Sequence, residues 1–408
     1  VATEYLTIPG GVCAPKGFRA SGVHCGIRKN QTKKDLALIV ADADCAAAAV
    51  YTQNKVYGAP ITVTRDNLKS GHARAMICNS GNANTCNADG VEKALAMCAL
   101  VEKHTGISAG DVIVASTGVI GQQLDIAPIE AGMAALVAGL DEADGLAAAQ
   151  AIMTTDTVDK QTSIEFSIGG KAVRIGAMAK GSGMIEPNMA TLLGFVTTDA
   201  VISPAMLQKA LDSAIKDSFN MVSIDGDTST NDMVCVMASG LAANAEITAT
   251  SADYDAFAQA LKWVCTQQAR MIAKDGEGAT KLLTCHVTGA PCEDTARKIA
   301  KSVINSSLIK AMMFAADANF GRILCAIGYA QAAFTVDTID VSFASSAGAI
   351  EVCENGNAVD FDEDIAKAVL SEDEVVIEIA MGQGIGEATA WGCDLTYDYV
   401  KINGSYRS

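Results

Sequence analysis

The residues best suited to chemistry lie in one stretch, Lys180-Gly-Ser-Gly-Met-Ile-Glu-Pro-Asn-Met-Ala-Thr191. A loop rich in glycine and containing proline leads into Thr191, and an apolar strand candidate, 192–197, follows at once. A threonine hydroxyl is a weak nucleophile near neutral pH and needs a base beside it. One economical base is its own α-amino group, which exists only once the preceding peptide bond is cut. A free α-amine titrates near ~7.7–8.0, so a useful fraction is neutral around pH 7. The same hydroxyl can make the cut. It attacks the carbonyl of Ala190, the acyl group moves from nitrogen to oxygen, and water releases the ester. A small residue at 190 and a Gly/Pro-rich approach allow the strained geometry this requires. The other reading of Thr191 is a residue that merely starts a strand, which threonine does well.

Three further positions have matching chemistry. Acyl transfer passes through a tetrahedral oxyanion, and donors placed where that charge develops lower the barrier. Thr117-Gly118, after a short strand candidate, can offer a hydroxyl and a backbone N–H; a plain β-turn is the alternative. Lys180 can hold a substrate carboxylate, and Glu277, in Gly-Glu-Gly, can hold a substrate ammonium. A solvated surface charge is the usual explanation for a single lysine, and surface exposure is the alternative for Glu277. Two tempting motifs fail. Gly382-Gln-Gly-Ile-Gly-Glu387 has its third glycine one position early and Glu387 where Gly or Ala is wanted, so it reads as a hairpin turn rather than a dinucleotide loop. Asp225-Gly-Asp-Thr-Ser-Thr-Asn-Asp232 has Met237 where a calcium loop needs its closing glutamate, so it reads as a tight polar loop.

These positions need elements to hold them. Alternation predicts strands at 59–64, 73–79, 111–115, 280–288, 335–343, 349–353, 374–381 and 388–402. Helical spacing predicts helices at 91–103, 127–139, 145–153, 254–274 and 293–312. Ser203-Pro204 predicts an N-cap with proline at the first helical position. Gly169-Gly170 predicts a hairpin between 164–168 and 172–175. Gly276 is expected to cap the long helix in the left-handed conformation. The amide-rich Asn79–Thr85 run reads as a turn-forming loop.

Composition narrows the class. The chain of 408 residues, half of them hydrophobic and 19% charged, suits a compact enzyme of two domains. A net charge of −17 repels nucleic-acid backbones and makes a local positive site necessary for any anionic substrate. Many of the thirteen scattered cysteines, such as Cys98, Cys235, Cys265 and Cys325, sit in apolar runs and, with no C-x-x-C pair in the chain, read as buried free thiols in a reducing compartment. The four histidines, His24, His72, His104 and His286, form no metal-spacing motif and read as structural. No signal-peptide pattern opens the chain and no apolar run reaches the roughly 18 residues of a membrane helix, so a soluble, cytoplasmic protein is expected.

Taken together, the motifs resemble the ornithine acetyltransferases of arginine biosynthesis, the bifunctional ArgJ family. The ordered matches are Gly10-Gly-Val-Cys-Ala-Pro-Lys-Gly-Phe18, Asn79-Ser-Gly-Asn-Ala-Asn84, Ser116-Thr-Gly-Val-Ile-Gly121, Met153-Thr-Thr-Asp-Thr157 and the 180–191 stretch. Ser223–Asp232, Asp275-Gly-Glu-Gly-Ala-Thr-Lys281 and Ala390-Trp-Gly-Cys-Asp-Leu-Thr-Tyr-Asp-Tyr399 complete them. The resemblance implies self-cleavage between Ala190 and Thr191, with Thr191 as the acetyl-carrying nucleophile and Thr117 and Gly118 as the oxyanion pair. It implies substrate-binding roles for Thr154 (with Thr155 the alternative), Lys180, Thr191, Glu277, Asn403 and Ser408. Ser408 stands where many members have threonine and keeps the hydroxyl.

The implied fold is α+β, a four-layer αββα sandwich whose freed Thr starts a strand, plus a smaller α+β domain. On this chain that corresponds to a nucleophile domain over 1–278, a smaller domain over 279–387, and a C-terminal strand and tail, 388–408, returning to the active site. The implied reaction moves acetyl from N2-acetyl-L-ornithine to L-glutamate by a ping-pong route, with acetyl-CoA an additional donor in some members and no metal or organic cofactor. The cleaved α and β chains are expected to stay together, as an α2β2 heterotetramer. The nearest rival is an N-terminal-nucleophile amidase or aminopeptidase, which would pass the acyl group to water. A silent binding protein, left as one uncut chain, is the rival from another class.

Overall fold

The computed structural model describes residues 5–186 and 192–404. Its strands and helices run in the order β1 (Leu6–Thr7), β2 (Phe18–Val23), β3 (Leu36–Tyr51), α1 (Ala59–Asn67), β4 (His72–Asn79), α2 (Gly90–Thr105), β5 (Val112–Ser116), α3 (Ala127–Ala138), α4 (Leu146–Ile152), β6 (Lys160–Ile168), β7 (Lys171–Lys180), β8 (Leu193–Thr198), α5 (Pro204–Lys216), β9 (Val222–Ser223), β10 (Met233–Ala238) and α6 (Ala252–Lys274). The remainder is β11 (Leu282–Ala290), α7 (Glu293–Asn305), α8 (Ser307–Ala315), α9 (Phe320–Gly328), β12 (Asp340–Ser345), β13 (Gly348–Glu354), β14 (Asn357–Ala358), α10 (Glu363–Leu370), β15 (Glu374–Ala380), β16 (Gly386–Cys393) and α11 (Tyr397–Asn403). The fold is mixed α+β with two sheets. The chain forms two compact units.

The first unit comprises Val1–Gly181, Pro187–Asn220 and Thr228–Gln268. Its sheet runs β1-β6-β7-β8-β10-β3-β4-β5, with β2 also paired to β3. The long strand β3 shows why it forms. Side chains alternate across a strand, and here Ala37, Ile39 and Ala41 join one apolar cluster while Leu36, Leu38 and Val40 join another. The first cluster adds Phe18, Met76, Phe195, Met233 and residues of α4. The second adds Met97 and Val101 of α2 and Ile129, Met133 and Leu136 of α3. Both faces are therefore covered, which is why β3 reads as a near-continuous apolar run. The pairing of β3 with β4 shifts register between Val40 and Cys45, where Asp42 and Asp44 interrupt the run.

The second unit comprises Ser182–Glu186, Met221–Asp227 and Ala269–Ser408. Its sheet runs β14-β13-β12-β15-β11-β16-β9. On α7, Ala296, Ile299, Ala300, Val303 and Ile304 form the buried stripe, at helical spacing. Helix α10 is capped by Asp362, whose carboxylate accepts from the N–H groups of Asp364 and Ile365. No helix among the described residues is long and apolar enough to cross a membrane.

Several sequence expectations are corrected. Residues 59–64 form the start of α1, not a strand: Gly58 and Pro60 open a helix whose β-branched residues mimic strand composition. The 293–312 helix is two, because Ser306 is extended and its hydroxyl accepts from Ile309 N–H as the cap of α8. The strand expected at 388–402 ends at Cys393, and Thr396 leads into α11. The left-handed residue after α6 is Gly278, at φ 70°, not Gly276. Residues 382–387 are no hairpin turn, since β11 lies between β15 and β16 and pairs with both. Cys325, expected among the buried thiols, is exposed.

Candidate active site

Thr117 and Gly118 follow the buried strand β5 in the first unit. Thr117 donates its N–H to the Asn79 carbonyl at 3.0 Å. Gly118 has φ 129°, and a Cβ there would lie 2.5 Å from the Gly81 carbonyl carbon and 2.7 Å from the Asn82 nitrogen. Both neighbours are backbone and cannot swing aside, so this turn requires glycine. The adjoining amide-rich loop spends much of its polar capacity on neighbouring segments. Asn82 Nδ2 donates to Gln122 O, Asn84 Nδ2 to Gly90 O, and Asn231 Nδ2 to Ala83 O and Ser116 O. Most of that loop is thus scaffold for the Thr117-Gly118 turn.

Lys180 ends β7, pairs in register with Leu193 at the start of β8, and is buried. Thr154 lies in the loop after α4. Asp156, which the sequence reading did not single out, organises the neighbourhood. Its carboxylate accepts from Lys160 Nζ at 2.7 Å, Gly181 N–H at 2.7 Å and Thr154 N–H at 2.9 Å. Burial alone would raise its pKa, but the charges of Lys180 and Lys160 and these hydrogen bonds outweigh it and hold the carboxyl below the usual range. Asp156 therefore fixes Thr154 and the residue after Lys180 at once.

A second group missed from sequence has the opposite character. Asp232 is buried, its Oδ2 has no hydrogen-bond partner among the described residues, and burial pushes its carboxyl well above the carboxylate range despite Ser229, Lys180 and Thr52. The buried amide atoms of Asn79 and the buried Ser116 Oγ likewise have no partner among the described residues. Asn79 and Ser116 are register partners on β4 and β5. Buried polar atoms without partners are costly, and these gather at the strand ends that carry Thr117. All three stand inside motifs quoted above, but nothing in residue type distinguishes them from ordinary turn residues.

Glu277 and Asn403 meet within the second unit: Asn403 Nδ2 donates to Glu277 Oε2 at 2.7 Å. Glu277 is buried, and its N–H donates to Ser182 O at 2.8 Å. Asp394 fixes the loop beyond, accepting from Thr280 N–H and Lys281 N–H at 2.8 and 2.9 Å and from the Thr280 hydroxyl at 2.5 Å. Thr396 adds a hydroxyl bond to Gly278 O. Ala190, Thr191 and Ser408 lie outside the described residues.

A sequence model of the ArgJ family matches residues 19–408. The chain is 48% identical over 392 residues to the arginine biosynthesis bifunctional protein ArgJ 1 of Clostridium acetobutylicum, covering 96% of each chain. It is 51% identical over 403 residues to the ArgJ protein of Symbiobacterium thermophilum, covering 98% of this chain and 99% of that one. A crystal structure of the arginine biosynthesis bifunctional protein ArgJ from Bacillus halodurans aligns with a TM-score of 0.50 at 46% identity, over 52% of this chain and 98% of that one. Fold and relatives together define an enzyme of the acyltransferase class. The chain belongs to the ArgJ family of arginine biosynthesis.

Proposed function

We propose that this chain cuts itself between Ala190 and Thr191 and then moves acetyl from N2-acetyl-L-ornithine to L-glutamate through an acetyl-Thr191 ester. The observation that carries the reading is the match of residues 19–408 to the ArgJ family, with relatives about half identical to this chain. In the first half-reaction the Thr191 hydroxyl attacks the acetyl carbonyl, with its own amine taking the proton. The oxyanion accepts from the Thr117 hydroxyl and the Gly118 N–H. Ornithine leaves with the proton, and glutamate's amine then attacks the ester by the reverse path. Lys180 pairs with the α-carboxylate common to both amino acids. Thr154, Glu277, Asn403 and Ser408 complete the substrate contacts. The α and β chains remain together as an α2β2 heterotetramer in the cytoplasm.

Supporting the roles of Lys180 and Thr154 is the Asp156 network, which gives the two a shared, rigid anchor. Supporting Gly118 is a backbone conformation that leaves its position to glycine alone. Intact-mass analysis of wild type and Thr191→Ala tests the reading. Wild type should give two fragments divided at 190/191, and the variant one chain. Incubation with N2-acetyl-L-ornithine should add one acetyl group to the fragment beginning at Thr191. Acetyl loss from that fragment should accelerate with glutamate; loss to water at one rate with or without it would mark a hydrolase instead.

A further inference from the structure

Residues 28–34, Arg-Lys-Asn-Gln-Thr-Lys-Lys, carry four basic side chains and no acidic one, in a chain whose net charge is −17. The loop they form in the first unit is tied down. The buried Asp35 carboxylate accepts from Cys25 N–H at 2.6 Å, Gly26 N–H at 3.2 Å and Arg28 N–H at 3.0 Å. The Arg28 guanidinium donates to Ser80 O and Met153 O. Met153 directly precedes Thr154, and Ser80 follows Asn79, whose carbonyl accepts from Thr117 N–H. Hydrogen bonds therefore join the basic loop to the segments that carry Thr154 and Thr117.

Against this loop lies a pocket of about 430 Å³ whose walls include Lys33, Lys34, Gln150, Met153, Thr157 and Asp159. The wall from 153 to 159 is the segment that holds Asp156, which fixes both Thr154 N–H and Gly181 N–H. Lys34 Nζ donates to Gln150 Oε1 at 3.1 Å, and neither Lys33 nor Lys34 pairs with a carboxylate among the described residues. Asp159 is the one acidic lining residue, and its carboxylate accepts from Gln161 Nε2 at 3.1 Å. Two cations against one carboxylate leave the pocket positive, and Arg28 and Lys29 on the same loop add to it.

At neutral pH N2-acetyl-L-ornithine carries one carboxylate and one ammonium and is neutral overall. L-Glutamate carries two carboxylates against one ammonium, and it becomes a dianion once its amine sheds the proton that blocks attack. A surface that is acidic elsewhere repels such an ion, whereas a local positive field concentrates it. We propose that Lys33 and Lys34 form a capture site for the acceptor: they draw the carboxylates of L-glutamate into the pocket beside Thr154 and so favour the acceptor half-reaction over the donor half. The proposal rests on the transfer reading above.

The two half-reactions are followed separately by intact mass, with the acetyl enzyme isolated between them. Lys33→Gln and Lys34→Gln are combined, each keeping a hydrogen-bonding amide in place of the charge. Glutamate-dependent loss of acetyl should fall about fivefold in low salt, the scale of two partly screened charges near a site. The gap to wild type should close as salt rises to about 0.5 M, where screening acts within a few ångströms. Acetylation by N2-acetyl-L-ornithine, a neutral donor, should stay within about twofold of wild type. Lys171→Gln removes an exposed positive charge at the opposite end of β7 from Lys180 and should leave both half-reactions unchanged. An unchanged glutamate half-reaction in the double variant would overturn the proposal. So would an equal fall in both half-reactions that salt does not alter, which marks a structural role. If the double variant does not accumulate, the exposed Lys33 carries the test alone, and Lys33→Glu should slow glutamate more than Lys33→Gln. A fragment that never takes acetyl from N2-acetyl-L-ornithine would sink the transfer reading itself, and the capture site with it.

Discussion

Asn403 Nδ2 stands 2.7 Å from Glu277 Oε2, and Gly183 closes against the same carboxylate, where a Cβ would lie 2.3 Å from Oε2. The carboxylate is thus held from one side by a donor and bounded on another by a residue without a side chain. Asn403→Leu removes the donor, and Gly183→Ala displaces the carboxylate. Either should raise the KM for N2-acetyl-L-ornithine about tenfold, the worth of one lost charge-assisted hydrogen bond, with a smaller change in kcat. Steady-state kinetics checks this; an unchanged KM in both variants would remove Glu277 from substrate binding.

Gly118→Ala should be far more damaging than its size suggests. The new Cβ meets backbone atoms, and φ 129° is itself hostile to a side chain. Thr117→Ala deletes one donor without moving the turn. Loss of one oxyanion donor costs roughly 10²–10³ in kcat, so single-turnover acetylation should fall by that factor in Thr117→Ala and further in Gly118→Ala.

Asp156 and Lys160 are both fully buried at their side chains, and losing one deprives the other's interior charge of its ion-pair partner 2.7 Å away. Asp156→Asn should lower unfolding stability by about 3–5 kcal/mol, read from denaturant titration. The pH sign follows from a depressed carboxyl. Its stabilisation is complete above the ordinary Asp range near ~4 and is lost as pH falls below it. The stability difference between wild type and variant should therefore shrink in acid.

His286 gives the opposite sign. Its ring nitrogens reach Glu378 at 2.8 Å and Glu387 at 3.0 Å on the neighbouring strands. Burial works against its charge, but the two carboxylates outweigh burial and raise its pKa. A raised pKa means a contribution fully present below the ordinary His value near ~6.5 and lost as pH climbs through the folded value. His286→Ala should lower the melting temperature at pH 6 by more than at pH 9; the two carboxylates are partly exposed, so the shift should be modest.

Legibility in the sequence followed the kind of signal each residue carries. Gly118 and the Gly-rich approach to Thr191 stand out because glycine is chosen for backbone reasons that survive without a structure. The Gly169-Gly170 hairpin was readable for the same cause, and β6 and β7 pair across it. Asp156 and Asp232 were not singled out, although both sit inside quoted motifs. Two aspartates in similar polar runs acquire opposite protonation tendencies because both feel the charge of Lys180 but only Asp156 also gains Lys160 in hydrogen-bond contact. Strand composition misled at 59–64 because Ile61, Val63 and Thr64 are the buried residues of α1, and burial suits β-branched residues in either element. At 388–402 alternation ran past the true strand end because nothing local records that the Asp394 carboxylate is claimed by a loop more than a hundred positions earlier.

The order of the first sheet bears on what a break before β8 would leave behind. Strand β8 is bonded on one side to β7, and β10 on the other to β3, with β8 and β10 side by side between them. Two strands from the later piece would be stitched into the middle of a sheet whose flanks come from the earlier one. Such fragments could not drift apart on dilution or trade partners with other copies; parting them would mean unravelling the sheet, so the nicked molecule should melt in one step, as a single knitted fabric.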